Sequence, residues 1–538
     1  MRKRFSLLTM SALVILSLVA GAQLNRLFSG DSVLPQVNKF SDVLSITHKF
    51  YVDDVDTQKL TEAAIGGLLS ELDPHSVYIT ASAMQKVTEE FQGSFEGIGI
   101  EYQVLNDTLL VVAPIVGGPS EALGILSGDK IVRINDSSAV GITQEGVQKK
   151  LRGPKGTKVK VTIDRSGMKE PLEFEITRDK IPIYTVDASF MVKPELGYVN
   201  VNRFAANTHT EFMEAVTRLH DAGMKRLILD LRTNAGGYLE QAYRMVDELL
   251  PKGKKIVYTK GRRSEFDDEF VSSGAGKYQD LTLVILVNNG SASASEIVAG
   301  AVQDWDRGLI VGETSFGKGL VQRQFELKDG SAFRLTTARY YTPSGRLIQR
   351  PYDKDKMKYL REAVEREEQE GENLTHEAEK DSARPKFKTM GGRIVYGGGG
   401  ITPDYIVKSD RLNNYTVQLR GKQVFLQTAD RILDRQGNAL RSAYGKDVER
   451  FVREFQVSDA MIGEIQEVAA AKGVALNKEQ FQEDLRFIKA YTKAFIARSL
   501  WGNEGYARVM LEEDTQFAKA VTLVPEAEKI AKTFTSLK

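Results

Sequence analysis

Leu281-Thr-Leu-Val-Ile-Leu-Val287, Asn288-Asn-Gly290 and Ser291-Ala-Ser-Ala-Ser-Glu296 follow one another directly, and these three segments decide the fold of the chain. The first is an unbroken apolar run of strand length, which is typical of a strand buried on both faces of a parallel sheet. The second indicates a turn, and the serine-rich segment predicts the start of a helix. Together they predict an α/β sheet whose carboxyl edge carries serines beside the free N–H groups of a helix.

Strand and helix patterns alternate on both sides of this corner, between residues 181 and 350, which favours a largely parallel sheet. Upstream the period changes to short β-like runs, and both ends of the chain have helical spacing. A charged stretch, 353–392, indicates a solvated insertion or a flexible loop. We therefore predict five regions: a signal segment 1–22, a helical region 23–90, a β-rich domain 91–180, an α/β core 181–405 and a helical region 406–538.

The composition is that of a globular protein and excludes several classes of function. Of the 538 residues, 42% are hydrophobic and 27% are charged, so long disordered or polytopic membrane architectures are excluded. Lysine and arginine number 73 against 72 aspartates and glutamates, so we expect no nucleic-acid partner. The absence of cysteine excludes thiol nucleophiles, disulfides and thiolate metal sites, and the chain has only five histidines. We expect neither a metal nor a cofactor.

The first 22 residues carry the pattern of an export signal. Arg2-Lys-Arg4 precedes an apolar run from Phe5 to Ala20, and Ala20-Gly-Ala22 matches a small-residue cleavage site. The run is shorter than the roughly 20 residues that span a bilayer comfortably. We predict an exported protein of the periplasm or cell envelope, and an uncleaved membrane anchor is the alternative.

The serine-rich corner offers a candidate nucleophile. Dipoles at a helix N-terminus favour developing negative charge, as the nucleophile of an acyl transfer requires. The alternative is that Ser291, Ser293 and Ser295 only cap the helix, and this segment alone favours capping.

The segment Glu313-Thr-Ser-Phe-Gly-Lys-Gly-Leu-Val-Gln322 shifts the balance towards catalysis. Lys318 lies between two glycines, and Gln322 follows four residues later on the same face. A lysine in a water-poor pocket loses proton affinity, so its neutral amine can take the proton of a serine hydroxyl. Gln322 would hold this amine without adding a charge that raises its pKa. The alternatives are a surface lysine in a turn or a phosphate cradle, although the glycine spacing fits no P-loop.

A third segment, Asp230-Leu-Arg-Thr-Asn-Ala-Gly-Gly237, places a glycine loop at the carboxyl end of another strand, where sheets of this class bind ligands. The backbone N–H groups of Gly236 or Gly237, with that of Ala294, are the candidates for an oxyanion hole.

Together with the upstream Leu-Asp-Pro-His-Ser-Val-Tyr, these segments resemble the carboxy-terminal processing (tail-specific) serine protease family. The resemblance covers about residues 40–405. It implies an α/β multidomain protein, with a ClpP/crotonase-like protease core and an inserted PDZ domain. By motif position it implies Ser293 as nucleophile and Lys318, 25 residues later, as general base. It further implies Gln322 as the supporting amide and Asp304 as structural support.

The resemblance also gives residues 91–180 a role. Phe95-Glu-Gly-Ile-Gly-Ile100 is similar to a PDZ carboxylate-binding loop, in which the backbone of Gly97, Ile98, Gly99 and Ile100 receives a peptide C-terminus beside an edge strand. The expected partners are protein or peptide substrates with free, apolar C-termini. Isoleucines replace part of the usual Gly-Leu-Gly-Phe, which leaves the preferred terminal side chain open.

The sequence thus predicts an exported serine endopeptidase that selects C-termini and cleaves through a Ser-Lys dyad and an acyl-enzyme. The alternative is a non-catalytic binding protein, or a permanently resting PDZ adaptor, on the same scaffold. For the region 406–538 two roles stay open: association of two copies of the chain, and docking of an activating adaptor.

Overall fold

The computed structural model describes residues 33–536 except Asn106 and residues 370–383. The predicted signal segment, 1–22, and the middle of the charged stretch lie outside the described residues. Within the described ranges, none of the helices has both the length and the apolar character that a membrane crossing requires.

An N-terminal arm precedes the β-rich region. Its first helix has no buried residue, and its apolar positions Phe40, Val43 and Ile46 are exposed. The second helix begins at Asp56, whose carboxylate accepts the N–H groups of Gln58 and Lys59. The elements are α1 (Leu34–Phe50), α2 (Thr57–Ser70), β1 (Val77–Ile79) and α3 (Ala81–Gln92).

The β-rich region forms a sheet around a core of alternating apolar residues. Its elements are β2 (Ser94–Gly97), β3 (Ile100–Leu105), β4 (Thr108–Pro114), α4 (Pro119–Ala122), β5 (Lys130–Ile134), β6 (Ser137–Ser138), α5 (Gln144–Leu151), β7 (Lys158–Asp164), β8 (Leu172–Thr177) and β9 (Asp179–Pro182). The strand order is β3-β4-β5-β7-β8, with β6 on β5, while β2 pairs with β9. Since β3 is the first strand of this order, none of the described strands pairs with its outer edge.

Two further sheets make up the core. The elements are β10 (Val186–Lys193), β11 (Leu196–Val201), α6 (Thr208–Asp221), β12 (Arg226–Asp230), α7 (Leu239–Asp247), β13 (Lys255–Gly261), β14 (Glu269–Val271), β15 (Thr282–Val287), α8 (Ala294–Asp304), β16 (Gly308–Gly312), β17 (Leu320–Glu326), β18 (Ala332–Tyr341), α9 (Lys356–Gln369), β19 (Lys386–Lys388), β20 (Ile394–Tyr396) and β21 (Tyr405–Ile406). The main sheet has the order β10-β11-β12-β15-β16-β21 and is parallel from β11 to β21. The second sheet, β1-β18-β13-β14 with β17 on β18, is antiparallel.

The C-terminal region is helical, as predicted. Its helices are α10 (Asn414–Gly421), α11 (Val424–Tyr444), α12 (Val448–Glu454), α13 (Asp459–Ala471), α14 (Lys478–Glu483), α15 (Leu485–Leu511) and α16 (Thr515–Ser536). Helix α15 is kinked at Trp501 and Gly502, where the backbone leaves helical values. We refer to α10–α15, residues 414–511, as the C-terminal helical module.

The main sheet is buried on both faces, as a parallel sheet requires. Helices α6, α7 and α8 cover one face. The other face is covered by α16, whose Phe517, Ala520 and Leu523 pack against Tyr198 and Leu286. The predicted fold class is confirmed. The last helix, α16, lies beyond residue 405 but covers one face of the main sheet and so packs with the α/β core.

The charged stretch 353–392 differs from the solvated insertion or flexible loop that we predicted. Its described part contains α9 and β19, which pairs with β20 just beyond the stretch. Tyr359 is 1% exposed, and the guanidinium of Arg366 donates to the carbonyl oxygens of Gly399 and Ser315. Because the stretch is highly charged, its sequence pattern did not indicate that Tyr359 and Arg366 attach α9 to the core.

Candidate active site

Of the three serines at the corner after β15, only Ser293 has a hydroxyl that donates to no backbone carbonyl of the described residues, and it takes part in a capping box with Glu296 at the start of α8. The hydroxyl of Ser291 donates to the carbonyl of Leu231, and that of Ser295 to the carbonyl of Asn234, each at 2.8 Å. Both residues are fully buried. Ser293 lies between them and lines a cavity of about 780 Å³.

The backbone of Ser293 has a conformation that non-glycine residues rarely adopt. Its φ is 55° and its ψ is −110°, immediately before the first turn of α8. Its carbonyl accepts from the hydroxyl of the buried Tyr340 at 3.0 Å. Gly236 packs against it so closely that a Cβ there would lie 2.8 Å from the Cβ of Ser293. These contacts hold the serine in place at a strained corner of the sheet.

Lys318 lines the same cavity and is held by the predicted amide. Its Nζ donates to Oε1 of Gln322 at 2.8 Å, and Nε2 of Gln322 donates to the carbonyl of His75. Burial lowers the pKa of Lys318, and the nearby guanidinium of Arg334 lowers it further. A lowered pKa raises the neutral fraction of the amine at a given pH, and only the neutral amine can accept a proton.

Glu296 connects the loop of the serine with the loop of the lysine. This carboxylate is fully buried and accepts four hydrogen bonds, from the N–H groups of Ser293, Gly317 and Lys318 and the hydroxyl of Ser315. Burial raises its pKa, whereas the donated hydrogen bonds oppose that shift. Because all four partners donate, the geometry calls for an ionised carboxylate.

A chain of hydrogen bonds runs around Lys318 from the N-terminal arm to α9. Nε2 of His75 and the hydroxyl of Tyr359 are 3.2 Å apart, and Nε2 of Gln349 donates to the same hydroxyl at 3.0 Å. Oε1 of Gln349 accepts from the N–H of Gly319 at 2.9 Å. Burial lowers the pKa of His75 to about 4, so its ring is neutral at physiological pH. The arm and α9 thus both contact the surroundings of the lysine.

The candidate oxyanion donors divide into two groups. The N–H of Gly236 donates to Oδ1 of Asn234 at 2.9 Å and is therefore already engaged in the structure. Among the described residues, the N–H groups of Gly237 and Ala294 have no such acceptor. Gly237 lines the cavity, and Ala294 is the first residue of α8, where N–H groups lack a partner within the helix.

Asp304 lies away from the cavity. Its Oδ1 is 2.7 Å from Nη2 of Arg346, and both side chains are fully buried. Its Oδ2 accepts the N–H of Ser344 at 2.9 Å. The carboxylate therefore anchors the turn that follows β18.

The predicted carboxylate-binding loop lies between β2 and β3. Gly99 has a φ of 75°, and a Cβ there would approach Cα of Gly118 at 3.3 Å, so the position favours glycine. Ile98 and Ile100 are buried, and the carbonyls of Ile98 and Gly99 are taken by Ser120 and Ile115. In the described part of the chain, the N–H groups of Ile98 and Gly99 find no acceptor.

Comparison with known families accounts for most of these regions. A model of peptidase family S41 matches residues 195–355, and one of the PDZ domain matches residues 86–164. The activating protease CtpB N-terminal domain matches residues 21–83, and a family of unknown function, DUF8443, matches residues 415–502. The carboxy-terminal-processing protease of Bartonella bacilliformis is 38% identical over 337 residues, which are 62% of this chain and 77% of that protein. The chain belongs to this protease family.

Another relative and a solved structure are similar over comparable shares of the chain. The probable CtpA-like serine protease of Staphylococcus aureus strain N315 is 35% identical, over 62% of this chain and 67% of that protein. The structure of the photosystem II D1 C-terminal processing protease is 31% identical, covers 58% of this chain and 89% of its own, and gives a TM-score of 0.32. The resemblance seen in the sequence is confirmed: this is a serine-type carboxy-terminal-processing peptidase with a PDZ domain.

Sequence reasoning missed three contributors to the site of this protease. Glu296 follows Ser293 at the spacing of a helix capping box, a signal that was available. The carbonyl of His75 accepts from Gln322, and the hydroxyl of Tyr359 lies beside His75 and Gln349. These contacts join segments that lie far apart in the sequence, so no local pattern indicates them.

Proposed function

We propose that this protease cleaves its substrates with Ser293 as nucleophile and Lys318 as general base. The observation that carries the proposal is that Ser293 and Lys318 line one cavity, while the hydroxyls of both neighbouring serines donate to backbone carbonyls. Gln322 keeps the amine of Lys318 inside that cavity. Burial lowers the pKa of Lys318 and so favours the neutral amine that a general base requires, without a histidine.

The reaction then follows the chemistry of acyl transfer. The neutral amine of Lys318 takes the proton of the Ser293 hydroxyl, and Oγ attacks the scissile carbonyl carbon. The N–H groups of Gly237 and Ala294 stabilise the oxyanion. The lysine ammonium returns its proton to the leaving amine as the C–N bond breaks. Water, deprotonated by the same amine, cleaves the acyl ester and restores the serine.

Selection of C-termini is the second part of the proposal. The N–H groups of Ile98 and Gly99 receive the terminal carboxylate, and the peptide adds as a strand to the free edge of β3. Because Ile98 and Ile100 belong to the apolar core beside α5, a terminal apolar side chain fits best.

Export is the third part. The basic and apolar pattern of residues 2–22 supports it, and the lack of cysteine agrees with a fold that needs no bridges in an oxidising compartment. The N-terminal sequence of the protein recovered from the cell envelope would distinguish a cleaved signal from an anchor.

The test of the mechanism compares the parent protein with Ser293→Ala and Lys318→Ala. The substrate is a loosely folded protein with an apolar C-terminus, either free or amidated. Ser264→Ala and Lys328→Ala, which alter exposed residues outside the cavity, serve as controls. Each of the two site variants should lose several powers of ten in turnover, and amidation should weaken cleavage by the parent.

Turnover that survives in Ser293→Ala or Lys318→Ala would overturn the dyad. Cleavage that is indifferent to amidation would overturn the recognition of C-termini but leave the dyad standing. If the parent itself cleaves nothing while it binds the free tail, the resting adaptor becomes the better description.

A further inference from the structure

A second cavity, of about 630 Å³, lies between the PDZ domain and the C-terminal helical module. Three consecutive residues of β3 line one side: Glu101, Tyr102 and Gln103. The opposite side consists mainly of aromatic and cationic residues of the module: Arg420, Phe425, Tyr491, Phe495, Arg498 and Tyr506. The size of the cavity is in the range of ligand sites.

The module is attached to the PDZ domain on the outer face of β3 and β4. Leu426 of α11 packs against Leu105, Leu110 and Val112. Nη2 of Arg498 is 2.6 Å from a carboxylate oxygen of Glu101. A further ion pair, at 2.8 Å, joins Lys130 of β5 to Asp434 of α11. The position of the cavity beside β3 is therefore fixed by apolar and ionic contacts.

The two faces of β3 look towards different parts of the protein. Ile100, Tyr102 and Val104 belong to the PDZ core or pack against it, on the side of α5. Glu101 and Leu105 instead contact the module. Side chains of a strand added to the edge of β3 alternate in the same way. If the terminal side chain faces α5, then the second and fourth residues from the end face the module.

The charge of the cavity favours an acidic side chain in those positions. The cavity is lined by two arginines, Arg420 and Arg498, and by one carboxylate, that of Glu101, which already forms an ion pair with Arg498. Arg420 is exposed and lies over the ring of Tyr491 at 5.0 Å. Within the described residues, Arg420 has no carboxylate at ion-pair distance.

We propose that the C-terminal helical module forms the second wall of the peptide groove, and that Arg420 there selects tails with Asp or Glu at the second or fourth position from the C-terminus. The inference rests on the proposed capture of C-termini by the PDZ domain and adds a substrate preference to it. It also gives a role to the residues that match a family of unknown function.

The test measures the binding of labelled ten-residue peptides to the full chain carrying Ser293→Ala, which prevents cleavage. All peptides end in a free apolar residue, and a single Glu is placed second, third, fourth or fifth from the end, with Gln elsewhere. We expect peptides with Glu in the second or fourth place to bind about twofold to fivefold tighter than the others, at low salt.

Three variants decide whether the module is responsible. Arg420→Gln should remove the alternating preference, so that peptides with Glu in the second or fourth place bind no tighter than those with Glu in the third or fifth. Glu101→Gln should strengthen the preference, because it frees Arg498 from its carboxylate. Arg435→Gln is the control, since this exposed arginine of α11 pairs with Glu464 and does not line the cavity.

Equal affinities for all placements, or an alternation that persists in Arg420→Gln, would overturn the inference while the capture of tails stands. A different outcome is that amidation of the neutral peptide, which carries Gln in place of every Glu, leaves its affinity for the protein unchanged. In that case the proposed recognition of C-termini fails, and the inference fails with it.

Discussion

The backbone N–H groups of Ser293 and Lys318 donate to the same atom, Oε2 of Glu296, at 2.8 and 2.9 Å. The two residues are 25 positions apart in the sequence, on different loops. One buried oxygen thus fixes the backbone of both with respect to each other. A catalytic pair loses rate steeply when its geometry loosens, so this shared acceptor is a positioning device for the proposed dyad.

Glu296→Gln should lower kcat by at least about tenfold with little change in KM. The amide replaces one acceptor oxygen by a donor, which would face N–H or O–H donors that have no other acceptor within the site. Turnover of a protein substrate and thermal unfolding should be measured together. Glu313→Gln is the matched control, because this buried carboxylate accepts the N–H of Ser409 and does not line the cavity. Unchanged turnover in a folded Glu296→Gln would refute the positioning role.

The pH dependence of kcat/KM should report the pKa of Lys318. Activity should rise as pH rises through that lowered pKa, because only the neutral amine accepts a proton. Arg334→Gln removes a neighbouring cation, so the protonated lysine becomes less unfavourable and its pKa rises. The ascending limb should then move to higher pH. Arg339→Gln alters an exposed residue of the same strand and should leave the ascending limb in place. An ascending limb that does not move in Arg334→Gln would contradict the assignment of Lys318 as the titrating base.

Gln322→Glu should shift the same limb further in the same direction. A carboxylate in the position of Oε1, 2.8 Å from Nζ of Lys318, would stabilise the ammonium form and raise its pKa. We expect low activity at neutral pH and partial recovery at alkaline pH. Gln322→Ala, which removes the contact without adding a charge, should instead lower activity at every pH. Identical profiles for the two variants would mean that Gln322 does not act through the charge of the lysine.

The sequence predicts the parts of this protein that depend on local patterns. Periodicity predicts the apolar strand β15, the turn after it and the start of α8. The motifs predict the glycine-containing loops beside Lys318 and near Ser293. The contacts of Tyr359 and of the His75 carbonyl with the site depend on how distant segments pack, which local patterns do not encode. The same holds for α16, whose apolar face indicates a helix but not the sheet that it covers.

Tyr359→Phe tests whether α9 supports the site. The variant keeps the ring that packs beside His75 and removes the hydroxyl that His75 and Gln349 share. We expect turnover to fall several-fold and stability to fall by about 1–3 kcal/mol, because His75 and Gln349 lose a buried hydrogen-bonding partner. Tyr352→Phe is the control, because its ring lies 5.6 Å from that of Tyr359 and its half-buried side chain is outside the chain of hydrogen bonds. Equal effects of both variants would argue against the role of α9.

Asp304→Asn should destabilise the protein without acting on the chemistry. The ion pair of Asp304 with Arg346 is fully buried, and removing one partner of such a pair costs about 3–5 kcal/mol. Urea unfolding should show that loss, and activity should follow the fraction of folded protein. The double variant Asp304→Asn/Arg346→Met should recover part of the stability, because it leaves no unpaired buried charge. A variant that is as stable as the parent but inactive would place Asp304 in the reaction itself, in contrast to the anchoring role that its distance from the cavity favours.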